Sequence, residues 1–187
     1  MTYVVEVLRQ EHRNIERLLR VLEQELIVFD RGNRPDYEAV IGVIDYFKDY
    51  PDSCHHPKED LIFEKLKSRD PVAAANIGDL EIEHQEGASR LRRVAQAVER
   101  VLSDEDLLRQ TVAEIIHDFI NHERRHMEME ERTFFPAAIN ALRPKDWADI
   151  ALKLAERRDP LYLEEKFNML RRKILEIEAE AEAERLD

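Results

Sequence analysis

The stretch HHPKEDLIF, residues 55–63, places His55 four residues before Glu59. The chain repeats this spacing at HMEMEERTFF, residues 126–135, where His126 precedes Glu130 by four. On a helix, side chains four residues apart stand on one face, about 5–6 Å from each other. Two such pairs on facing helices predict a site in the core that can hold two metal ions.

The composition of the chain predicts an all-helical protein. Of its 187 residues, 37% are charged, only 4 are glycine and 7 are proline, a mixture typical of helical domains. The length fits one domain with a sizeable core. The sequence has no run of 18 or more apolar residues that could span a membrane. Its first residues show no export signal, so we expect a cytoplasmic protein.

Charge and cysteine content narrow the classes of partner. The formal net charge is −12, which argues against nucleic acid or an anionic membrane as a partner, because both require clustered Lys and Arg. The single cysteine, Cys54, cannot form an internal disulfide. This fits a reducing compartment, and we expect Cys54 to be a buried, inert thiol.

Apolar residues recur at alternating steps of three and four in four long segments, each ended by Pro, Gly or Asp. These segments predict an antiparallel up-down-up-down four-helix bundle over residues 1–142. Residues 143–187 are expected to form extra C-terminal helices that pack on the bundle or on a second copy of the chain, making a homodimer. Their acidic end is expected to be solvated. Each bundle helix carries one histidine on its inward face: His12, His55, His84 and His126.

The second helix can be phased in two ways, because Pro51 and Pro57 predict a break or kink between residues 50 and 57. The favoured phase continues into apolar residues at 62 and 66, whereas the alternative ends in a lysine at 67. The two candidate pairs are His55 with Glu59, and His56 with Asp60.

Four imidazoles and two carboxylates at one level of a core need a common partner. Buried polar groups that are left unpaired cost several kcal/mol each, and imidazole with carboxylate suits iron, manganese or zinc. Six ligands overfill a tetrahedral zinc site, so two ions fit better, with Glu59 and Glu130 each able to bridge them. Open positions should remain for water, oxide or a diatomic gas. Gly87, one turn from His84, is expected to leave space in the core for a neighbouring group, because it has no side chain.

The chain resembles the hemerythrin-like, or HHE cation-binding, family in four segments that follow in the family's order: LRQEHRNIERLLRVLE, HHPKEDLIF, EIEHQEGASRL and HMEMEERTFFP. The resemblance covers roughly residues 5–140. It implies an antiparallel bundle around a non-haem di-iron centre. The tail resembles an extension found in a bacterial subgroup. The implied iron ligands are His12, His55, Glu59, His84, His126 and Glu130.

Two departures separate this chain from oxygen-carrying hemerythrins. Those proteins have a fifth histidine where this chain has Ala88, and an aspartate where it has Glu131. His56 or His122 could supply a fifth nitrogen, while the plainer interpretation of His122 is a buried polar residue. We therefore expect a protein that binds or senses a small ligand such as O2 or NO, or handles iron, rather than a classical enzyme.

Three other interpretations remain open. A di-iron enzyme, for example one that repairs nitrosatively damaged iron centres, would use the same ligands. A ferritin-like carboxylate di-iron protein would use the E-x-x-H pairs Glu81 with His84 and Glu123 with His126, but it leaves the histidines of the first two helices unexplained. A metal-free helical interaction module would need none of these residues.

Overall fold

The computed structural model describes residues 3–105 and 107–156, together with positions 170, 172, 175 and 179. In this part of the chain every regular element is helical. None of these helices is long and apolar enough to cross a bilayer. The α-helices are α1 Tyr3–Asp30, α2 Tyr37–Tyr50, α3 His56–Arg69, α4 Pro71–Ile77, α5 Leu80–Leu102, α6 Arg109–Met129, α7 Phe135–Ala141 and α8 Pro144–Glu156; two π-helical turns are π1 Pro51–His55 and π2 Glu130–Phe134.

Four long helical rods form the bundle. Helix α1 packs against α2 and α6, and α5 packs against the same two helices, which closes a ring of four. π1 and α3 extend α2, while π2 and α7 extend α6. Each rod thus packs on the rod before it along the chain, as in an up-down-up-down bundle. The predicted all-α four-helix bundle is confirmed.

Local signals end α1 and begin α2. Gly32 has φ +82, a left-handed conformation that glycine adopts without steric cost. Its N–H donates to the Phe29 carbonyl at 3.0 Å, and the Asn33 N–H donates to the Val28 carbonyl at 3.2 Å, which is a Schellman C-terminus. Asp36 then begins α2 by accepting a hydrogen bond from the backbone N–H three residues later, at 3.0 Å. The chain therefore reverses within a few residues.

π1 lies where the sequence predicted a break or kink, and π2 has the same form in the fourth rod. In each, the N–H that follows the turn donates to the first carbonyl of the turn, five residues back. The next residue is a proline in both cases, Pro57 after π1 and Pro136 after π2. A proline has no N–H and clashes with the carbonyl four residues earlier, and the wider π turn relieves this conflict. The backbone consequently stays helical instead of breaking between residues 50 and 57.

The interior consists of two apolar clusters with a polar layer between them. Core 1 occupies the half of the bundle that contains the α1–α2 connection, and core 2 gathers the start of α1 with α3, α7 and α8. Along every rod, at least one histidine lies between members of the two cores. They include His12 between Leu8 and Ile15, His55 between Phe47 and Ile62, His84 between Leu80 and Leu91, and His126 between Ile120 and Phe134. We call this level the polar layer.

Helix α8 is attached to α3 by an ion pair between the buried Asp146 and the exposed Arg69. Arg69 donates to both carboxylate oxygens of Asp146 at 2.8 Å, and Ile150 is buried in core 2. Further on, the buried Leu170 places its Cδ1 3.0 Å from where a Cβ on Gly42 would stand. The last predicted helix and its acidic end otherwise lie outside the described residues. The division at residue 142 and the homodimer stay predictions.

Candidate metal centre

Seven side chains of the polar layer form two groups that could each hold a metal ion. Within each group, one nitrogen or oxygen from every residue lies within 4.8 Å of the others. Glu59 belongs to both groups, so the two groups share its carboxylate. We call the first group half-site A (His12, His55, Glu59 and Glu130) and the second half-site B (His56, Glu59, His84 and His126).

Glu59 faces both half-sites. Its Oε1 lies 3.1 Å from His55 Nε2 and 3.8 Å from His12 Nε2, whereas its Oε2 lies 3.5 Å from His84 Nε2. The side chain is fully buried. Helix α3 thus supplies a carboxylate with one oxygen for each of two positions.

Glu130 repeats this arrangement from π2. Its Oε2 lies 3.3 Å from His12 Nε2 in half-site A, and its Oε1 lies 3.4 Å from His126 Nε2 in half-site B. It too is fully buried. The two carboxylates therefore stand in the positions that bridging ligands of two ions would occupy.

Many nitrogen and oxygen atoms of the polar layer are buried without a hydrogen-bond partner, and this shows whether a cation would fit there. An unsatisfied buried polar group costs about 1–3 kcal/mol, and more when it is charged. Oxygen and imidazole nitrogen together suit iron, manganese or zinc. The residues present thus fit a metal. Among the described residues, the unpartnered atoms of the layer are His12 Nε2, His84 Nε2, both ring nitrogens of His126, and both oxygens of Glu59 and Glu130.

Three of the histidines have a carboxylate on the ring nitrogen that faces away from the site. Such a partner fixes the ring orientation and the tautomer of a metal-binding histidine. The pairs are Glu11 with His55 Nδ1 at 2.9 Å, Glu131 with His12 Nδ1 at 3.0 Å, and Asp52 with His56 Nδ1 at 3.0 Å. Sequence reasoning missed Glu11 and Asp52. Asp52 precedes its histidine by four residues, a spacing that could have indicated it.

The ionisation of the layer reflects burial and crowding of charge. Burial opposes protonation of His55, but carboxylates led by Glu59 raise its pKa to about 10. At His12, burial is likewise outweighed by Glu130 and Glu59, which raise the pKa to about 9. Burial lowers the pKa of His126 to about 3, so its imidazole is neutral. Protons therefore sit in half-site A where a cation would lie, and a binding cation must displace them.

A cavity of about 160 Å³ lies against half-site B and is lined by His84, His126 and Glu123. A Cβ on Gly87 would stand 2.8 Å from Glu123 Oε1 and 3.4 Å from His122 Nε2. The expectation that Gly87 leaves room is confirmed, and these two side chains use the room. Burial raises the pKa of Glu123 to about 7.

The structure shows where His56, Asp60 and His122 lie, the residues that the sequence offered as alternative or additional ligands. His56 joins half-site B and stacks on His84 with ring centroids 3.6 Å apart. Asp60 is exposed and His122 Nε2 lies 3.3 Å from the Glu83 carbonyl. Within the described residues, Asp60 and His122 belong to neither group. The inward face of this segment therefore carries His55 and Glu59. Because the π turn is wider than an α-helical turn, it brings His56 to the polar layer as well.

The ferritin-like ligand set does not assemble. Glu81 is exposed and accepts a hydrogen bond from Gln85 at 3.3 Å, so it points away from the polar layer. Glu123 lines the cavity but lies in neither metal-holding group of the described residues. The histidines of α1 and π1, which that interpretation left unused, lie close to the carboxylates of Glu130 and Glu59.

Comparison with protein families places the whole site within one domain. The hemerythrin HHE cation binding domain matches residues 3–138, a range that includes both half-sites and all four rods except the end of α7. Comparison with curated proteins and with solved structures gave no match. The family match covers well over half of the chain. The chain therefore belongs to the hemerythrin HHE cation-binding domain family.

Proposed function

We propose that the protein is a non-haem di-iron protein that binds or senses a small ligand such as O2 or NO. One observation carries the proposal: two fully buried carboxylates each turn one oxygen to half-site A and the other to half-site B. A single ion would use only one side of this arrangement. Two iron ions, when bound, would supply gas binding and a reversible change of oxidation state.

The proposed ligand would bind at half-site B. The cavity reaches His84 and His126 of this half-site, and its volume of about 160 Å³ exceeds the roughly 30 Å³ that a water molecule occupies in the liquid. A diatomic molecule is of similar size and fits. Apolar side chains such as Phe47 and Phe119 form part of the lining, which suits an uncharged gas.

Reconstitution tests this proposal. Metal-free protein is loaded with Fe²⁺ without air, and we expect about two iron ions per chain and absorption bands that change reversibly with O2 or NO. The matched control is Glu25→Gln, a buried glutamate of α1 that accepts from the Asp36 N–H at 2.7 Å, far from the layer. Absence of bound iron in the unsubstituted chain would refute the proposal.

A di-iron enzyme is the second candidate, and Glu123 favours it. A carboxyl with a pKa of about 7 inside the cavity can hold or release a proton near neutral pH. Repair of nitrosatively damaged iron centres is one reaction of this class. Consumption of NO over many cycles in the presence of a reductant, slowed in Glu123→Gln, would support the enzyme. Reversible binding without consumption would support the sensor.

The proposal also covers the location of the protein, its partners and its oligomeric state. A cytoplasmic location without a nucleic-acid partner is supported by the formal net charge of −12 and the single cysteine. A homodimer through the C-terminal helices remains part of the proposal, and the mass of the full chain in solution by light scattering tests it.

A further inference from the structure

His55 of half-site A is held from behind by the carboxylate of Glu11, which has three side-chain donors. Glu11 accepts from His55 Nδ1 at 2.9 Å, from the Tyr50 hydroxyl at 2.9 Å and from Lys58 Nζ at 3.0 Å. Glu11 is buried, and all three groups donate to it. Because Glu11 holds the Nδ1–H of His55, the other ring nitrogen, Nε2, faces Glu59 and would bind a cation in place of its proton. His55 is therefore held in the orientation that binds a cation.

His12, the other histidine of half-site A, is held in the same way. Glu131 accepts from His12 Nδ1 at 3.0 Å and from Arg9 Nε at 3.0 Å. The ring of Phe135 lies parallel to the imidazole, with centroids 5.5 Å apart, and it fixes the ring from the core 2 side. Both histidines of half-site A thus need little reorganisation to bind an ion.

Half-site B is less constrained. Within the described part of the chain, neither ring nitrogen of His126 has a hydrogen-bond partner. The carboxylate behind His56 belongs to Asp52, whose side chain is 72% exposed. The cavity also touches His56, His84 and His126. An ion here has a looser set of ligands and a route to solvent.

We propose that the two half-sites are unequal: half-site A binds its ion first and retains it, half-site B exchanges its ion, and Glu11 is the positioning residue that sets this order. This inference rests on the proposed two-ion function. Partners that orient metal-binding histidines typically contribute 10–100-fold to metal affinity. Half-site A has two such partners in buried or half-buried positions.

The test is a titration of the metal-free full-length chain with Co²⁺ alone. Calorimetry and visible absorption monitor the binding. We expect two binding steps whose affinities differ at least about tenfold. Glu11→Gln keeps the size of the side chain but removes its charge. It should weaken the first step about 10–100-fold and change the second by less than about threefold.

Two further variants make the result specific. Glu25→Gln is the same substitution at another buried position of α1 and should leave both steps unchanged. Glu131→Gln should weaken the first step in the same direction but less, because Glu131 is 32% exposed, and it serves if Glu11→Gln does not fold. The spectrum of the first-bound Co²⁺ should shift in Glu11→Gln, which a general loss of stability would not cause.

Several results would overturn the inference. Two ions bound with equal affinity, or a Glu11→Gln chain that loses the second step selectively, would refute the unequal half-sites while leaving the di-iron proposal intact. An equal loss in Glu25→Gln would show a structural effect and refute the role of Glu11. Absence of Co²⁺ binding in the unsubstituted chain would refute both proposals.

Discussion

At the scale of single residues, Glu59 is the side chain common to both half-sites. We expect Glu59→Gln to weaken binding of both ions at least about tenfold, because an amide offers one oxygen and no negative charge. Metal analysis after dialysis measures the loss. His122→Gln is the control, since His122 belongs to neither group of the described residues, and it should retain the metal. Equal losses in the two variants would show that the ligand set is wrong.

Gly87 gives a second prediction at this scale. Alanine would gain about 0.5–1 kcal/mol of helix stability over glycine, but its Cβ would stand 2.8 Å from Glu123 Oε1. Because that oxygen ends a flexible side chain, we expect Gly87→Ala to change the free energy of unfolding by less than about 1 kcal/mol. In a Glu123→Ala background the full gain should appear in urea denaturation. An unchanged effect in both backgrounds would contradict the contact.

The sequence could predict the inward histidines because helical periodicity alone decides which residues share a face. It could not predict Glu11 as the partner of His55. Glu11 is next to His12 and therefore off the inward stripe of α1, and its contact is with a residue 44 positions away. Only the packing of α1 against the α2–α3 rod reveals such a pair. The sequence also left the place of His56 open, since the phase of α3 depended on how the prolines were accommodated.

At the scale of elements, the attachment of α8 depends on Asp146. The hydrogen bond from Arg69 lowers the pKa of Asp146 to about 2 from its ordinary 3.8. A lowered carboxyl pKa stabilises the fold fully above the ordinary value, and this stabilisation is lost as the pH falls through about 2. We expect Asp146→Asn to unfold at lower urea than the unsubstituted chain at pH 7, and the difference to shrink below about pH 4.

Asp149→Asn provides the control for that measurement. Asp149 is 46% exposed and lies 3.5 Å from Lys65, so its ion pair is screened by water and salt. The loss of stability in this variant should be clearly smaller. A deficit of Asp146→Asn that does not depend on pH would show that the ion pair is not its cause.

At the scale of elements, the sequence did not predict how the helices accommodate their prolines. A proline inside a helical pattern indicates a conflict with the carbonyl four residues earlier, but sequence does not say how the conflict is resolved. Here both conflicts are resolved by π turns, and each turn contains a residue of half-site A: His55 in π1 and Glu130 in π2. The choice depends on packing across the polar layer, where His55 and Glu130 face the other rods.

At the scale of the whole molecule, metal and fold should be coupled, because the polar layer separates two apolar cores. An ion at 100 times its dissociation constant adds about 2.7 kcal/mol of stability, which corresponds to roughly 5–10 °C in melting temperature for a chain of this size. We expect a chelator to lower the melting temperature by this amount in scanning calorimetry. Glu59→Gln should show little change with chelator. A chelator-insensitive melting temperature in the unsubstituted chain would contradict the coupling.

The bundle as a whole followed from the sequence because its four apolar stripes are long and regular. The different surroundings of the two half-sites did not, since the second and fourth rods each contribute to both half-sites through residues that look alike in sequence. His12 and His126 both lie on clean apolar stripes, yet one has a carboxylate behind it and the other does not.

The π turns also determine which changes of length the chain can tolerate. Each residue of an α-helix advances the rotation by about 100°, so deleting the exposed Ser53 from π1 would turn α3 by that angle relative to α2. His55 and Glu59 share one face with the buried Ile62 and Leu66, so all four would leave the interior together. Substitution at position 53 should be harmless, while a deletion at the same position should be disabling. The count of residues in this segment, more than their identity, keeps the centre assembled.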